Sequence, residues 1–277
     1  MNLRQTTITV LVLVVVFLAL AARRPVARGS ATVGTKVVSD ASNTPETAST
    51  PVLVELFTSE GCSSCPPADA LLSRLGQTQP VRGADIIALE EHVDYWDRLG
   101  WKDPFSSEAA TERQNEYDQT FAGNEVYTPQ MVVDGRAKFV GSSDSEALRA
   151  VRNASQAPKP AVRLSWEKDD VLTIHIEPLE NTAEREGQRV YLAVSENMLH
   201  SDVKRGENAG RGLEHNGVVR QLTPLGKIDA ATAGFSSSVA AHSAREWNRA
   251  NLRAVVFVQE RRSRHILAAA AIAFPKA

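Results

Sequence analysis

Hydrophobic and polar positions divide the chain into four stretches. From Val10 through Ala22 every residue is apolar, a run of signal-peptide length rather than the length of a bilayer-spanning helix. Gly29 to Pro51 is built from Ser, Thr, Ala, Asn and Pro without periodicity, as expected of a tether that buries no core. From Pro51 to Ala157, short β-branched runs alternate with helical spacing. Val52–Thr58 reads as a buried strand, Ala68–Gly76 as a helix with Ala70, Leu71, Leu72 and Leu75 on one face, and Ile86–Leu89 as a second strand. Ser106 or Ser107 caps the next helix, and Ser142 or Ser143 caps a last one carrying Ala147, Leu148 and Val151. Between these helices, Met131–Val133 and Arg136–Val140 flank Asp134-Gly135, a hairpin signal.

Ala157-Pro158-Lys159-Pro160 interrupts this alternation, and strands dominate beyond it. Val162, Leu164 and Trp166 alternate with polar residues, as do Leu172, Ile174 and Ile176. Further runs cover Val190–Val194, Val218–Leu222, Phe235–Val239, Leu252–Gln259 and Ile266–Phe274. The pattern predicts an α/β domain over residues 51–157, with a mixed sheet and flanking helices. An all-β, sandwich-like domain follows over 158–277. Ahead of them stand a signal peptide or N-terminal anchor over 1–22 and a flexible linker over 23–50. Arg23, Arg24 and Arg28 outnumber the single n-region Arg4, a charge bias that keeps the uncleaved anchor in play. The expected location is extracytoplasmic, either periplasmic or secreted, with membrane contact only through a retained N-terminal segment.

Lys and Arg total 31 against 33 Asp and Glu, a net charge of −2, which argues against a nucleic-acid partner. Two cysteines occur, Cys62 and Cys65, too few and too close together to staple a fold of this size. They lie between a predicted strand and a predicted helix whose first turn holds Pro66 and Pro67. Proline is tolerated there because its missing N–H would have no helical partner, so the pair sits at a helix N-terminus, where the dipole favours a thiolate. Cys62, on the loop side, is placed to exchange with a substrate sulfur, and Cys65 to resolve the mixed disulfide. A metal alternative would use Cys62, Cys65 and His92, the last from an aromatic and acidic segment just past the second strand. The third alternative is an inert structural disulfide. His200–His215, polar and holding Gly206, Gly210 and Gly212, reads as a long loop, either a hydrogen-bonded brace or a surface for a redox partner or metal.

The order strand, CxxC, helix, strand, helix, Thr-Pro, hairpin, helix resembles the thioredoxin fold over residues 52–155. The strings Glu55–Asp69, His92–Trp96 and Tyr127–Gln130 resemble a secreted bacterial family of thioredoxin-like proteins labelled as a domain of unknown function. The resemblance implies thiol–disulfide exchange with a protein thiol or disulfide or a small thiol, and no cofactor beyond the redox-active Cys62–Cys65 pair. It implies Cys62 as the attacking thiol, Cys65 as the resolving thiol and Pro129 as a cis-proline facing the disulfide. It further implies that Thr128 offers backbone hydrogen bonds to substrate, and that Glu55 is the buried acid assisting Cys65.

Overall fold

The computed structural model describes residues 49–121, 125–179, 187–228 and 234–276. The expected leader, and the linker up to residue 48, lie outside them. Among the described residues no helix is long and apolar enough to cross a membrane.

Strand β1 (Thr50–Thr58) owes its continuous apolar run to burial on both faces and both edges. It pairs in parallel with β2 (Ala84–His92) on one side and antiparallel with β3 (Gln130–Val133) on the other. Val52, Val54 and Leu56 pack under α1 (Pro66–Thr78) and α3 (Asp144–Ala154). The alternate residues face the opposite side, where Phe57 meets Tyr117 of α2 (Glu108–Asp118). Helix α1 begins with prolines at its first two positions, and the hydroxyl of Ser107 caps α2 by accepting from the Ala110 amide at 3.1 Å. The hairpin from β3 to β4 (Ala137–Val140) turns through Asp134 and Gly135, both left-handed at φ 51° and 63°. A side chain at Gly135 would collide with the Arg264 carbonyl, 2.0 Å from where its Cβ would sit. The basic turn over residues 261–264 therefore docks on this hairpin.

In the second half, β5 (Val162–Trp166), β6 (Val171–Ile176) and β11 (Phe235–Ala240) form a three-stranded sheet in the order β11-β6-β5. The strands β7 (Gln188–Glu196), β10 (Val218–Lys227), β12 (Leu252–Glu260) and β13 (Ile266–Ala273) extend the first sheet to eight strands. Its order is β13-β12-β7-β10-β2-β1-β3-β4. The expected boundary at 157/158 thus falls between α3 and β5, and one sheet carries strands from both sides of it. The sandwich layering is present locally: Leu172, Ile174 and Ile176 of β6 pack on Val190, Leu192, Ala254 and Val256 of the large sheet. The large sheet also curls, so that Leu53, Ile87 and Leu89 meet Ala193, Val255 and Phe257 on the face away from α1.

The strand pairing that joins the halves is short. Strand β10 joins β2 through Val218 opposite Glu90, and the Glu90 amide donates to the Gly217 carbonyl at 2.8 Å. The stretch expected as one long loop is flanked by a ribbon, β8 (Leu199–Asp202) paired with β9 (Gly212–His215), and residues 203–211 form its tip. Its strands lack the apolar alternation that announces a strand, because only Leu199 and Leu213 carry apolar side chains there.

Candidate active site around the Cys62–Cys65 disulfide

Strand β1 delivers the chain to a tight loop in which the Cys62 amide donates to the Ser59 carbonyl at 3.1 Å and the Cys65 amide to the Cys62 carbonyl at 3.2 Å. Cys65 stands at the N-cap of α1, and its carbonyl accepts from Ala68 and Asp69 in the first turn. The two sulfurs are joined in a disulfide with the Cα atoms 5.4 Å apart. Sequence order placed the pair correctly at the mouth of the helix, but Cys62 is not on an open surface: both cysteines are fully buried, while Ser63 and Ser64 between them are exposed. The cover is the tip of the β8–β9 ribbon. Asn208, itself fully buried, donates from Nδ2 to the carbonyls of Glu60 and Cys62, both at 2.9 Å. Glu207 accepts from the Ser63 amide at 2.9 Å, and hydrogen bonding from the Ser63 side chain, then from this amide, holds the exposed Glu207 carboxyl below its usual range. No local pattern joins residues 207–208 to 60–63, so sequence reading could not have paired them.

The Thr128-Pro129 peptide is cis. Because Phe57 pairs with Gln130 across β1 and β3, Pro129 lies at the end of β1 from which the cysteine loop departs. Trp96 Nε1 donates to Thr128 Oγ1 at 2.8 Å. Glu55 is not with this group. It lies on the opposite face of the sheet, where it binds Arg113 Nε at 2.5 Å and accepts from the Tyr117 hydroxyl. The period-two alternation of β1 decides this, since Leu56 and Thr58 face α1 and Glu55 and Phe57 face α2. Arg113 lies near Glu91 as well as Glu55, with Nε 3.8 Å from Glu91 Oε1. Burial, with the neighbouring Glu55 charge adding to it against Arg113, lifts the Glu91 carboxyl to about 7.

A buried acid on the disulfide's side is Asp69, one helical turn beyond Cys65 on the same face of α1. It accepts from Thr58 Oγ1 at 2.6 Å, and burial together with the nearby Glu90 charge raises it to about 7. Beside it, at the C-terminal ends of β1 and β2, lies a cluster in which Glu60, Glu90, His92, Asp103 and His215 are all buried. Leu56 pairs with Glu90 and Thr58 with His92, so these side chains share the face that carries α1. His92 Nδ1 is 2.7 Å from Asp103 Oδ2, and His215 Nδ1 is 2.7 Å from Glu90 Oε1. Burial opposes charge on both rings, but the carboxylates outweigh it. Asp103 and Glu90 hold His92 well above its ordinary value, and Glu90 with Glu60 brings His215 to about 9. Burial would likewise raise Glu90, and the two histidines overcome this to place it at about 2. Glu90, His92 and His215 each offer a ligand atom within 4.8 Å of the others. The metal set Cys62, Cys65 and His92 is not assembled, because the sulfurs are bonded to each other and both His92 nitrogens face carboxylates. Of this cluster only His92 was singled out from sequence as a site residue. The legible signal was Glu90 and His92 continuing, with polar residues, the inward face begun by Ile86 and Ala88.

No curated protein matches the chain. Among solved structures, the chain is similar to protein AGR_C_4864 from Agrobacterium tumefaciens, at 26% identity and a TM-score of 0.66. That match covers 83% of this chain and 96% of the other. It is also similar to HBP35 of Porphyromonas gingivalis, at 17% identity and a TM-score of 0.61, covering 83% of this chain and 77% of that one, a likeness of fold alone. The profile of one family, described as a protein of unknown function (DUF1223), matches residues 53–259, most of the described structure, and the chain belongs to that family.

Proposed function

We propose that the protein is an exported thiol–disulfide oxidoreductase of thioredoxin-like fold, acting on a protein thiol or disulfide or a small thiol through Cys62 and Cys65. The observation that carries this reading is the disulfide at the N-terminus of α1, immediately after a buried parallel strand. The order β1, CxxC, α1, β2, α2, Thr128-Pro129, β3–β4 hairpin, α3 supports the thioredoxin-like assignment. Disulfides persist chiefly in oxidising compartments, which agrees with export. Nucleic acid is not a partner in this reading, and a membrane is one only through a retained leader.

In the reducing half-cycle a substrate thiolate attacks Cys62 Sγ. The mixed disulfide forms as the Cys62–Cys65 bond breaks, and Cys65 departs with the electron pair as a thiolate that takes up a proton. A second substrate thiolate then attacks the substrate sulfur in the mixed disulfide and releases Cys62 as a thiolate, which is protonated in turn. The protein gains two electrons and two protons, and the substrate dithiol loses the same. The positive end of α1 lowers the cost of the thiolates, and Asp69 is the carboxyl placed beside Cys65 to exchange the proton. Both cysteines are buried and Asn208 holds the Cys62 carbonyl, so in this reading the attack requires the 203–211 tip to lift. Replacing Cys62→Ser is expected to abolish exchange with a dithiol substrate, followed by thiol alkylation and mass spectrometry; undiminished exchange in that variant overturns the reading.

A further inference from the structure

The Glu60, Glu90, His92, Asp103 and His215 cluster has no part in the exchange step just described, and its hydrogen bonding does not close. His92 Nδ1 is committed to Asp103, and His215 Nδ1 to Glu90. Each remaining ring nitrogen, His92 Nε2 and His215 Nε2, is buried without a hydrogen-bond partner, and so is Glu60 Oε1. His92 Nε2 faces Glu90 Oε1 at 3.3 Å, and His215 Nε2 faces Glu60 Oε1 at 3.3 Å. In the neutral rings these are lone pairs facing lone pairs. Orphaned buried polar atoms of this kind are costly and call for an explanation.

A cation belongs between His92 Nε2 and Glu90 Oε1, either a proton or a metal ion. A charge-assisted N–H···O bond settles at about 2.7–2.9 Å, as the two Nδ1 contacts do. A spacing of 3.3 Å instead suits two ligands of one ion held at about 2.0–2.2 Å from each. The surroundings have the form of a ligand-orienting shell. Asp103 fixes the His92 ring and is itself held by the Glu60 and Phe105 amides at 2.8 and 2.9 Å. Trp101 Nε1 holds Glu60 Oε2 at 2.7 Å, and the Asn216 amide holds Glu90 Oε2 at 3.0 Å. In each glutamate the second oxygen is anchored and Oε1 is the one turned to a histidine. An ion beside Glu90 Oε1 takes the place of the proton in the 2.7 Å contact, so that His215 ligates through Nδ1 and keeps its proton on Nε2, facing Glu60 Oε1.

We propose that Glu90 Oε1, His92 Nε2 and His215 Nδ1 bind a divalent first-row transition-metal ion, with Glu60 behind them as the acceptor for His215 Nε2–H. The donor set, imidazole nitrogen with carboxylate oxygen and no sulfur, selects zinc and its neighbours over copper(I) or calcium. Drawing the three ligand atoms, now within 4.8 Å of one another, onto an ion at about 2.0–2.2 Å moves each by less than about 1 Å. The ion would join Glu90 and His92 of β2 to His215 of β9, so it would also fasten the ribbon that covers the disulfide. The inference does not rest on the redox reading, since neither cysteine is a ligand.

The test uses the purified protein, stripped with chelator and titrated with Co2+ and then Zn2+. One equivalent of Co2+ is expected to bind with release of protons and to give the visible d–d spectrum of a nitrogen- and oxygen-ligated ion without a thiolate charge-transfer band, a spectrum lost when Zn2+ displaces it. The Cys62→Ser/Cys65→Ser variant should bind equally well. His92→Gln and His215→Gln should each lose the spectrum, and Asp103→Asn should weaken binding about 10–100-fold. Should a buried variant fail to fold, X-ray absorption of the zinc-loaded unmodified protein decides the matter. Nitrogen and oxygen neighbours at about 2.0–2.2 Å with histidine scattering support the site; a sulfur shell near about 2.3 Å overturns it. Failure of the folded protein to take up either ion overturns it as well, as does binding that survives both histidine substitutions.

Discussion

At the scale of single residues, chemistry-bearing side chains were legible where they are local in sequence and obscure where they come together from afar. Cys62, Cys65 and Pro129 could be placed because strand, helix and proline signals adjoin them. Glu55 shows the limit of carrying a role over by resemblance. One step along a strand reverses its face, so the carboxyl that resembles an assisting acid is bound to Arg113 under α2, and Asp69 stands on the disulfide's side instead. Arg113 serves two buried carboxylates, Glu55 and Glu91, and lies over the Phe257 ring at 5.2 Å. Arg113→Met keeps most of the volume but leaves those carboxylates unpaired, which costs about 3–5 kcal/mol when a buried pair is broken. Chemical denaturation should show a loss of that size, and a variant as stable as the parent would mean that the pair contributes nothing.

At the scale of elements, α1, α2, α3 and most strands announced themselves through periodicity, capping serines and the Asp134-Gly135 turn. The β8–β9 ribbon did not, since its residues are mostly polar and its role is set by what its tip covers. Asn208→Ala removes the two side-chain bonds to the Glu60 and Cys62 carbonyls. Reduction of the disulfide by a small dithiol should become several-fold faster in this variant, measured as the rate of thiol release; an unchanged rate would show that the tip does not gate the sulfurs. A second element-level contact carries a pH signature. Arg249 grips Asp170 with two bonds, Nη1 to Oδ2 at 2.6 Å and Nη2 to Oδ1, and these hydrogen bonds hold the Asp170 carboxyl below its usual value of 3.8. A carboxyl lowered in the folded state contributes stability that is complete above its unfolded pKa and is lost as pH falls through the folded one. Asp170→Asn should therefore flatten the fall in stability below about pH 4, leaving the variant and parent closer at pH 3 than at pH 6. A gap that widens on acidification would contradict the assignment.

At the scale of the whole molecule, the sequence pattern reads as two units changing at Ala157–Pro160, whereas one eight-stranded sheet carries strands from both sides of that point. What no periodicity could reveal is that β10 adds to β2, a junction resting on a single pair of residues and on Gly217. A Cβ at Gly217 would lie 2.7 Å from the Ala88 carbonyl. That junction carries the ribbon from the second half onto the cysteine loop of the first, since β10, β2 and β1 are consecutive in the large sheet. The central claim is that this covered disulfide is a working redox couple rather than a fixed staple. Equilibrating the protein with glutathione buffers, trapping by alkylation and counting thiols by mass spectrometry tests it most directly. A reversible two-electron couple between roughly −120 and −270 mV is the predicted result, and a potential below about −300 mV would mark a structural bond and contradict the account.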